Sequence, residues 1–395
     1  MAIKKKEVDK SKDLNESAEN DLLNEFVKET NAKGQVAYNP EQDREYFEVK
    51  RWVSTGSVAL DYKMSGRREG GVPYGFITEF AGEPASGKSL LAWHIVKNAQ
   101  IQDNAICVYY DVESRVNNSF MDLIGINRQK TTVIEGLKSA EDIFNNIMLF
   151  LKKLSLSKNP DRYAVIIIDS IAQMTSIEEL DKDFGEKTMG SRSRLLHELY
   201  RKVNASLRNY NVALVALNQI RQNMNKKNKY DDDHYIPSGT ATEHNASLRV
   251  RLYCSSMFKN SDGEVIGNRI RAKITKNSFV PANRVASFPL YYADGIANEE
   301  SVEELLVDGG IIKGTTWKSL TIASGKEYKW QGAAKFRLLY LSDDEFRNYC
   351  LDELENLLKY VPENWYNVQK FEEKIAIKES EREKEETVFD KLIDE

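Results

Sequence analysis

The sequence contains few cysteines and histidines and no long apolar segment. Its three cysteines, Cys107, Cys254 and Cys350, are widely separated and odd in number, which argues against a disulfide framework and against a thiolate metal site. We therefore predict three reduced thiols in the core. The four histidines show no spacing typical of metal ligands. The longest apolar runs, residues 164–168 and 212–217, are far shorter than the ~18 residues of a membrane span, so we expect buried strands and no membrane partner.

A secretory signal is also lacking, because no apolar segment follows the lysines at residues 4–6, and a cytoplasmic location is expected. Basic residues are not in excess: the chain has 56 lysines and arginines against 61 aspartates and glutamates, a formal net charge of −5. Residues 372–395 carry ten acidic and five basic side chains, so the rest of the chain is formally neutral. A polyanion would have to be bound by local basic clusters, and charge alone neither indicates nor excludes DNA.

One segment matches the G-x-x-x-x-G-K-[ST] pattern of a phosphate-binding loop at every fixed position. It lies between a strand-like segment, residues 75–80, and a helix-like segment, residues 90–100. In such a loop glycines let backbone N–H groups surround phosphate oxygens, the lysine adds a positive charge, and the final hydroxyl binds magnesium. The segment therefore predicts a bound nucleoside triphosphate with Mg²⁺. Its residues are Gly82, Glu83, Pro84, Ala85, Ser86, Gly87, Lys88 and Ser89.

Strand-like and helix-like segments alternate around this loop, which is typical of an α/β fold with a mostly parallel central sheet. Before it, residues 21–31 predict a short amphipathic helix that docks in the same chain or on a neighbour. From residue 298 onward the pattern changes to that of a small α+β domain. The further predicted strands are residues 105–110, 163–168 and 211–217, and the further predicted core helices are residues 139–154 and 192–207.

Polar residues follow three of the predicted strands. Asp169 ends an apolar strand, where it would lie beside Ser89 and act with it as a ligand of Mg²⁺. Glu113 also follows a strand, and the pattern leaves two interpretations open: a base that polarises the attacking water, or a solvated carboxylate of a loop. Gln219 lies at the end of a third strand, where an amide could sense the γ-phosphate or simply cap the strand.

Six segments together resemble the RecA-type homologous recombinases, which are single-strand-DNA-dependent ATPases. The resemblance extends from Ser54 to about Tyr360 and includes the phosphate-binding loop. Residues 218–221 resemble the family's Asn-Gln-Ile-Arg almost letter for letter. The remaining segments are residues 54–61, residues 111–113, residues 168–170 and the small domain from residue 298.

This resemblance implies ATP as the nucleotide and assigns roles to individual side chains. It makes Glu113 the catalytic glutamate and Gln219 the switch that couples the γ-phosphate to a DNA-binding loop. Lys276 would contact the ATP phosphates of a neighbouring protomer. Phe120 and Tyr292 match aromatic positions that sandwich adenine, although either could be a core residue.

Two DNA-binding loops are implied as well, at residues 176–190 and 223–244. Their backbone N–H groups and side chains would hold the DNA phosphates and leave the base edges free to pair with a second strand. A mobile basic surface loop is the alternative for the second of them. The residues implied in DNA binding are Arg194, Arg221, Lys226, Lys227, Lys229 and Gly239.

The sequence departs from the family pattern at three places. Ser278 occupies the position of a second phosphate-contacting lysine, so we expect either slower ATP turnover or substitution by another cation such as Arg284. Asp231–Asp233 place three carboxylates inside the second DNA loop, and Ser238 replaces one of two glycines that the family usually has there.

The resemblance implies an ATP-dependent recombinase that forms head-to-tail helical filaments on single-stranded DNA and pairs it with homologous duplex DNA, aided by single-strand-binding or mediator proteins. A ring helicase and a non-catalytic recombination mediator are the alternatives, and the residues do not distinguish a cellular from a viral gene. The expected organisation is a disordered tail and docking helix (1–50), an ATPase core with two DNA loops (51–297), a small domain (298–370) and an acidic tail (371–395).

Overall fold

A computed structural model describes residues 20–32, 37, 49–137, 139–157, 159, 162–181, 191–222, 234–235 and 241–358. The start of the chain before residue 20 and the predicted acidic tail, residues 371–395, lie outside these described residues. Within them, no helix has both the length and the apolar character needed to cross a membrane.

The described helices and strands alternate through the central part of the chain. The helices are α1 (residues 20–32), α2 (Val58–Ser65), α3 (Lys88–Asp103), α4 (Asn118–Ile124), α5 (Ala140–Ser155), α6 (Ile177–Leu180), α7 (Ser191–Asn209), α8 (Ala241–Asn245), α9 (Asn298–Asp308), α10 (Ala333–Ser342) and α11 (Asp344–Leu358). The strands are β1 (Trp52–Val53), β2 (Val72–Pro73), β3 (Ile77–Gly82), β4 (Ile106–Asp111), β5 (Thr131–Ile134), β6 (Ala164–Asp169), β7 (Val212–Gln219), β8 (Arg221–Gln222), β9 (His234–Tyr235), β10 (Leu248–Lys259), β11 (Val265–Asn277), β12 (Val285–Tyr291), β13 (Gly295–Ile296), β14 (Lys318–Thr321) and β15 (Glu327–Trp330).

Nine strands of the described residues form the main sheet, in the order β13-β12-β11-β10-β3-β7-β6-β4-β5. The six strands from β10 to β5 in this order are parallel, and the α/β class with a mostly parallel sheet is confirmed. Strands β10 to β13 pair antiparallel, an extension that the sequence analysis does not predict. Because β3, β4, β6 and β7 run in one direction, their carboxyl ends meet at one edge, where open α/β sheets bind ligands.

Both faces of the sheet are covered, which explains why the central strands are continuous apolar runs. In β6, Val165 and Ile167 belong to the core on the α3 side, whereas Ile166 and Ile168 belong to the core beneath α5 and α7. All four side chains are completely buried. Buried apolar side chains thus fill β6 along its length, and the polar side chain lies at its end.

A third core lies in the C-terminal segment and is built around Trp330, Phe336 and Phe346. Helix α2 connects it to the sheet, because Tyr62 packs in this third core while Leu60 of the same helix packs in the core against the sheet.

The three cysteines are free, but they do not share one environment. Cys107 and Cys350 are buried, as predicted, whereas Cys254 is exposed, so the prediction of a core thiol was wrong for Cys254. The reason is its place in β10: strand β3 pairs with β10 only as far as Leu252, and Cys254 lies beyond that point.

Candidate active site

The phosphate-binding loop follows strand β3, which ends at Gly82, and leads into helix α3, which begins at Lys88. A Cβ atom at Gly82 would lie 2.4 Å from Ser86 Oγ and 2.7 Å from the carbonyl oxygen of Leu252, so this position requires glycine. Gly87 precedes α3 with a φ of 83°, a left-handed conformation that favours glycine. Both glycines therefore serve a loop that presents the N-terminus of α3 to an anion.

Lys88 is enclosed by this loop and is only 8% exposed. Its Nζ donates hydrogen bonds to the carbonyl oxygens of Gly82 at 3.0 Å and Glu83 at 2.7 Å. Burial lowers the pKa of the ammonium group, and the nearby carboxylates of Asp169 and Glu113 oppose this shift. A bound phosphate would compensate for the desolvation of this positive charge.

Asp169, at the end of β6, lies directly opposite the hydroxyl of Ser89. Ser89 Oγ and Tyr109 OH each donate a hydrogen bond of 2.6 Å to Asp169 Oδ2. Burial raises the pKa of Asp169, and these two hydrogen bonds oppose the shift. The tyrosine is itself held by Trp93, whose ring stacks on it at a centroid distance of 4.2 Å. A hydroxyl and a carboxylate at this spacing suit Mg²⁺, which prefers oxygen ligands and usually takes the remainder from substrate phosphates and water.

Glu113 is held from three sides and its side chain is 11% exposed. Its Oε1 accepts hydrogen bonds from Ser170 Oγ at 2.9 Å and from Gln219 Nε2 at 2.8 Å. Its Oε2 lies 3.0 Å from Nη1 of Arg115. The structure thus brings the glutamate two residues after β4 and the amide at the end of β7 into direct contact.

One cavity of about 740 Å³ contains these groups, a size typical of small-molecule sites. Tyr292, which is 48% exposed, lies on its wall. Phe120 belongs to α4, but its side chain lies outside the described residues. The residues from the sequence analysis that line the cavity are Pro84, Ala85, Gly87, Lys88, Ser89, Glu113, Asp169, Gln219 and Tyr292.

The structure contains a buried polar network beside the cavity that the sequence patterns do not predict. Glu79 of β3 accepts a hydrogen bond from Asn218 Nδ2 at 2.7 Å and pairs with Nε of Arg249 at 2.5 Å. Arg249 also lies 3.3 Å from Glu243 of α8, the short helix at the end of the second implied DNA loop. The network connects strands β3, β7 and β10 with α8. The signal that could have indicated it is the placement of Glu79 and Arg249 within otherwise apolar strands.

Lys276 lies away from this cavity, near the end of β11. Its Nζ donates hydrogen bonds to the carbonyl oxygens of Glu243 at 2.7 Å and His244 at 2.9 Å. Burial and the nearby Arg249 lower the pKa of Lys276. The lysine therefore fastens α8 to the sheet within its own protomer.

The implied DNA-binding residues are only partly described. Arg194 lies exposed on α7, and Arg221 belongs to β8, which pairs with β9 through Arg221 and Tyr235. Outside the described residues are Lys226, Lys227, Lys229, Asp231–Asp233, Ser238 and Gly239.

Comparison with known proteins gives a consistent result. A profile of the RecA N-terminal domain matches residues 23–297. The Protein RecA of Chlamydia pneumoniae is 30% identical over 292 residues, which cover 73% of this chain and 79% of that protein. The Protein RecA of Methylococcus capsulatus is 31% identical over 279 residues (70% and 76%), and that of Chlorobaculum parvum is 26% identical over 311 residues (78% and 84%).

Proposed function

The chain belongs to the RecA family, and from this premise we propose that it is an ATP-dependent DNA recombinase. In this proposal it forms filaments on single-stranded DNA, pairs that strand with homologous duplex DNA and exchanges the strands. The observation that carries the proposal is the contact of Gln219 with Glu113 in the cavity that also holds Lys88 and Ser89. In this proposal the phosphate loop, a partly buried carboxylate and an amide that acts as the switch share one site.

Glu113 acts in this proposal as the group that orients the attacking water and accepts its proton. Ser170 and Gln219 hold one oxygen of its carboxylate, so the side chain keeps a defined orientation. A base must lie within hydrogen-bonding reach of the proton it takes, and the position of Glu113 beside the phosphate loop supports that role.

Lys88 and the N–H groups at the start of α3 would hold the phosphates of ATP. Ser89 and Asp169 would hold Mg²⁺, which neutralises phosphate charge when it is bound. Tyr109 keeps the carboxylate of Asp169 oriented through its hydrogen bond. Tyr292 is proposed to pack against the adenine ring.

Coupling to DNA would begin at Gln219. This residue ends β7, and the second implied DNA loop follows within a few residues, after Arg221. When a γ-phosphate draws the amide away from Glu113, the start of the loop moves with it. Arg194, which is exposed on α7 near the first implied DNA loop, would add a contact to a DNA phosphate.

Helix α1 is the proposed contact between protomers. It exposes Leu22, Leu23 and Phe26, with 68%, 53% and 64% of their surface accessible. A neighbouring protomer that covers these side chains would make a heterologous contact, and such contacts generate helical filaments when they do not close into a ring.

We propose that residues 51–297 serve as the ATPase core and residues 298–370 as the small domain of each protomer.

The proposal predicts that single-stranded DNA stimulates ATP hydrolysis and that helical filaments appear in the same mixtures. Hydrolysis is measured by phosphate release with and without single-stranded DNA, and filaments by electron microscopy, followed by a strand-exchange assay. Closed rings would favour a helicase. Nucleotide binding without DNA stimulation or strand exchange would favour a mediator.

Replacement of Lys88 by alanine is expected to lower kcat for ATP about 10²- to 10³-fold, because it removes a charge aimed at the transferring phosphate. Lys152→Ala is the matched control, since Lys152 is an exposed lysine of α5. Equal loss in both variants would contradict a specific role for Lys88.

A further inference from the structure

Arg115 is a cation in the candidate active site that none of the roles above uses. It follows Ser114, whose φ of 51° turns the chain after β4, and it lines the same cavity as Lys88 and Gln219. Its side chain is 80% exposed, yet its Nη1 lies 3.0 Å from Glu113 Oε2.

The backbone around Arg115 is fixed although its side chain is exposed. Oδ2 of Asp111, a buried carboxylate, accepts hydrogen bonds from the backbone N–H groups of Arg115 and Val116, both at 2.7 Å. The guanidinium group can therefore move between partners while its Cα stays in place. A fixed backbone with an exposed charged group suits a residue whose side chain changes partners during a reaction.

The contact between Arg115 and Glu113 conflicts with a catalytic role for Glu113. Ser170 donates a hydrogen bond to Oε1 whether or not Gln219 has turned to the γ-phosphate, so Oε2 is the oxygen that remains for a water molecule. Arg115 covers that oxygen in the structure described here. An ion pair with so exposed a partner contributes little to stability, so the guanidinium can leave Oε2 at small cost when a stronger anion enters the cavity.

The terminal phosphate of ATP is such an anion. A guanidinium group presents a planar fork of donors that matches phosphate oxygens, and its charge stays constant at any working pH. We propose that Arg115 is a catalytic residue supplied within the protomer, which moves from Glu113 Oε2 to the terminal phosphate when ATP binds. This inference rests on the proposed ATPase function and adds a group to the same site.

The exchange performs two tasks in hydrolysis. It uncovers Glu113 Oε2, which accepts a hydrogen bond and then a proton from the attacking water. It also places positive charge on the oxygens of the terminal phosphorus while the bond from water to that phosphorus forms. The bond from the phosphorus to the β–γ bridging oxygen breaks, its electron pair stays on ADP, and the proton on Glu113 passes to the released phosphate.

The test compares Arg115→Ala and Arg115→Lys with the wild type. We expect Arg115→Ala to lower kcat for ATP about 10²-fold at saturating single-stranded DNA. We expect it to weaken binding of ATPγS about tenfold or more, because a charge-assisted contact is lost, and to leave ADP binding unchanged. Arg115→Lys should lie between the two, since a lysine keeps the charge without the planar fork.

Arg128→Ala is the matched control, because Arg128 is an exposed arginine that pairs with Asp122 outside the cavity. It should match the wild type in kcat and in the affinity for both nucleotides. An unchanged kcat in Arg115→Ala would overturn the inference, as would a raised kcat, which would show that Arg115 restrains Glu113. An equal loss of ADP and ATPγS affinity would also overturn it.

The two proposals fail in different ways. If the wild type neither binds ATPγS nor hydrolyses ATP, the proposed function itself is wrong. If the wild type is active and Arg115→Ala matches it, only the role of Arg115 is wrong.

Discussion

Glu113→Gln is expected to lower kcat for ATP hydrolysis about 10²- to 10⁴-fold, the range typical of a lost general base. The amide cannot take the proton of the attacking water. It keeps the shape of the side chain, and its Oε1 can still accept the hydrogen bonds from Ser170 and Gln219. Affinity for ATPγS and filament formation should therefore change little. Steady-state hydrolysis, nucleotide binding and electron microscopy measure the three properties on one preparation.

Glu135→Gln is the matched control for this experiment. Glu135 is an exposed glutamate after β5 and does not line the cavity, so its replacement should leave kcat unchanged. A Glu113→Gln variant with wild-type kcat would support the alternative that the sequence leaves open, a loop carboxylate without a catalytic role. Loss of filaments together with kcat would instead indicate that Glu113 is needed for assembly.

Arg249→Met is expected to lower the free energy of unfolding by about 3–5 kcal/mol, because it leaves the carboxylate of Glu79 buried without its ionic partner. Glu79 is 1% exposed and the side chain of Arg249 is 8% exposed, at an N–O distance of 2.5 Å. The hydrogen bond from Asn218 remains but does not neutralise the charge. Urea denaturation of the full chain, followed by intrinsic fluorescence, measures the loss.

Two further variants test whether burial of the charge is the cause. The double variant Glu79→Gln with Arg249→Met should recover part of the lost stability, because the uncompensated charge is removed as well. Arg68→Met should cost about 0–1 kcal/mol, since the pair of Arg68 and Asp352 is exposed on both sides. A similar cost for Arg68→Met and Arg249→Met would contradict the argument from burial.

Much of the candidate site can be predicted because its residues lie in local patterns. The phosphate-binding loop is recognisable from its own eight residues, and Asp169 and Gln219 each end an apolar run that predicts a strand. Parallel strands place such ends at one edge of a sheet. The sequence therefore indicates that these side chains lie near one another, and the structure brings them into one cavity.

The antiparallel extension of the sheet could not be predicted from apolar runs. In β11 charged and apolar residues alternate, with Ile270, Ala272 and Ile274 buried and Arg271 and Lys273 exposed. An alternating pattern is the correct signal for a strand with one buried face, but the charged positions interrupt every apolar run. The exposure of Cys254 could not be predicted either. It depends on how far β3 pairs along β10, and the sequence of β10 does not show where that pairing ends.

The amino-acid sequence is enough to predict the class of fold, the phosphate-binding loop and the polar residues at the strand ends. These depend on contacts between residues that are close in the chain, such as Lys88 and the carbonyl groups of its own loop. The contact partners of these residues depend instead on how distant segments pack. Gln219 reaches Glu113 across 106 positions and Arg249 reaches Glu79 across 170, and such pairs exist only after the strands have packed side by side. Hydrogen bonds and ion pairs act over a few ångströms, so the contacts of Glu113 with Ser170 and Gln219 follow from packing and not from spacing along the chain.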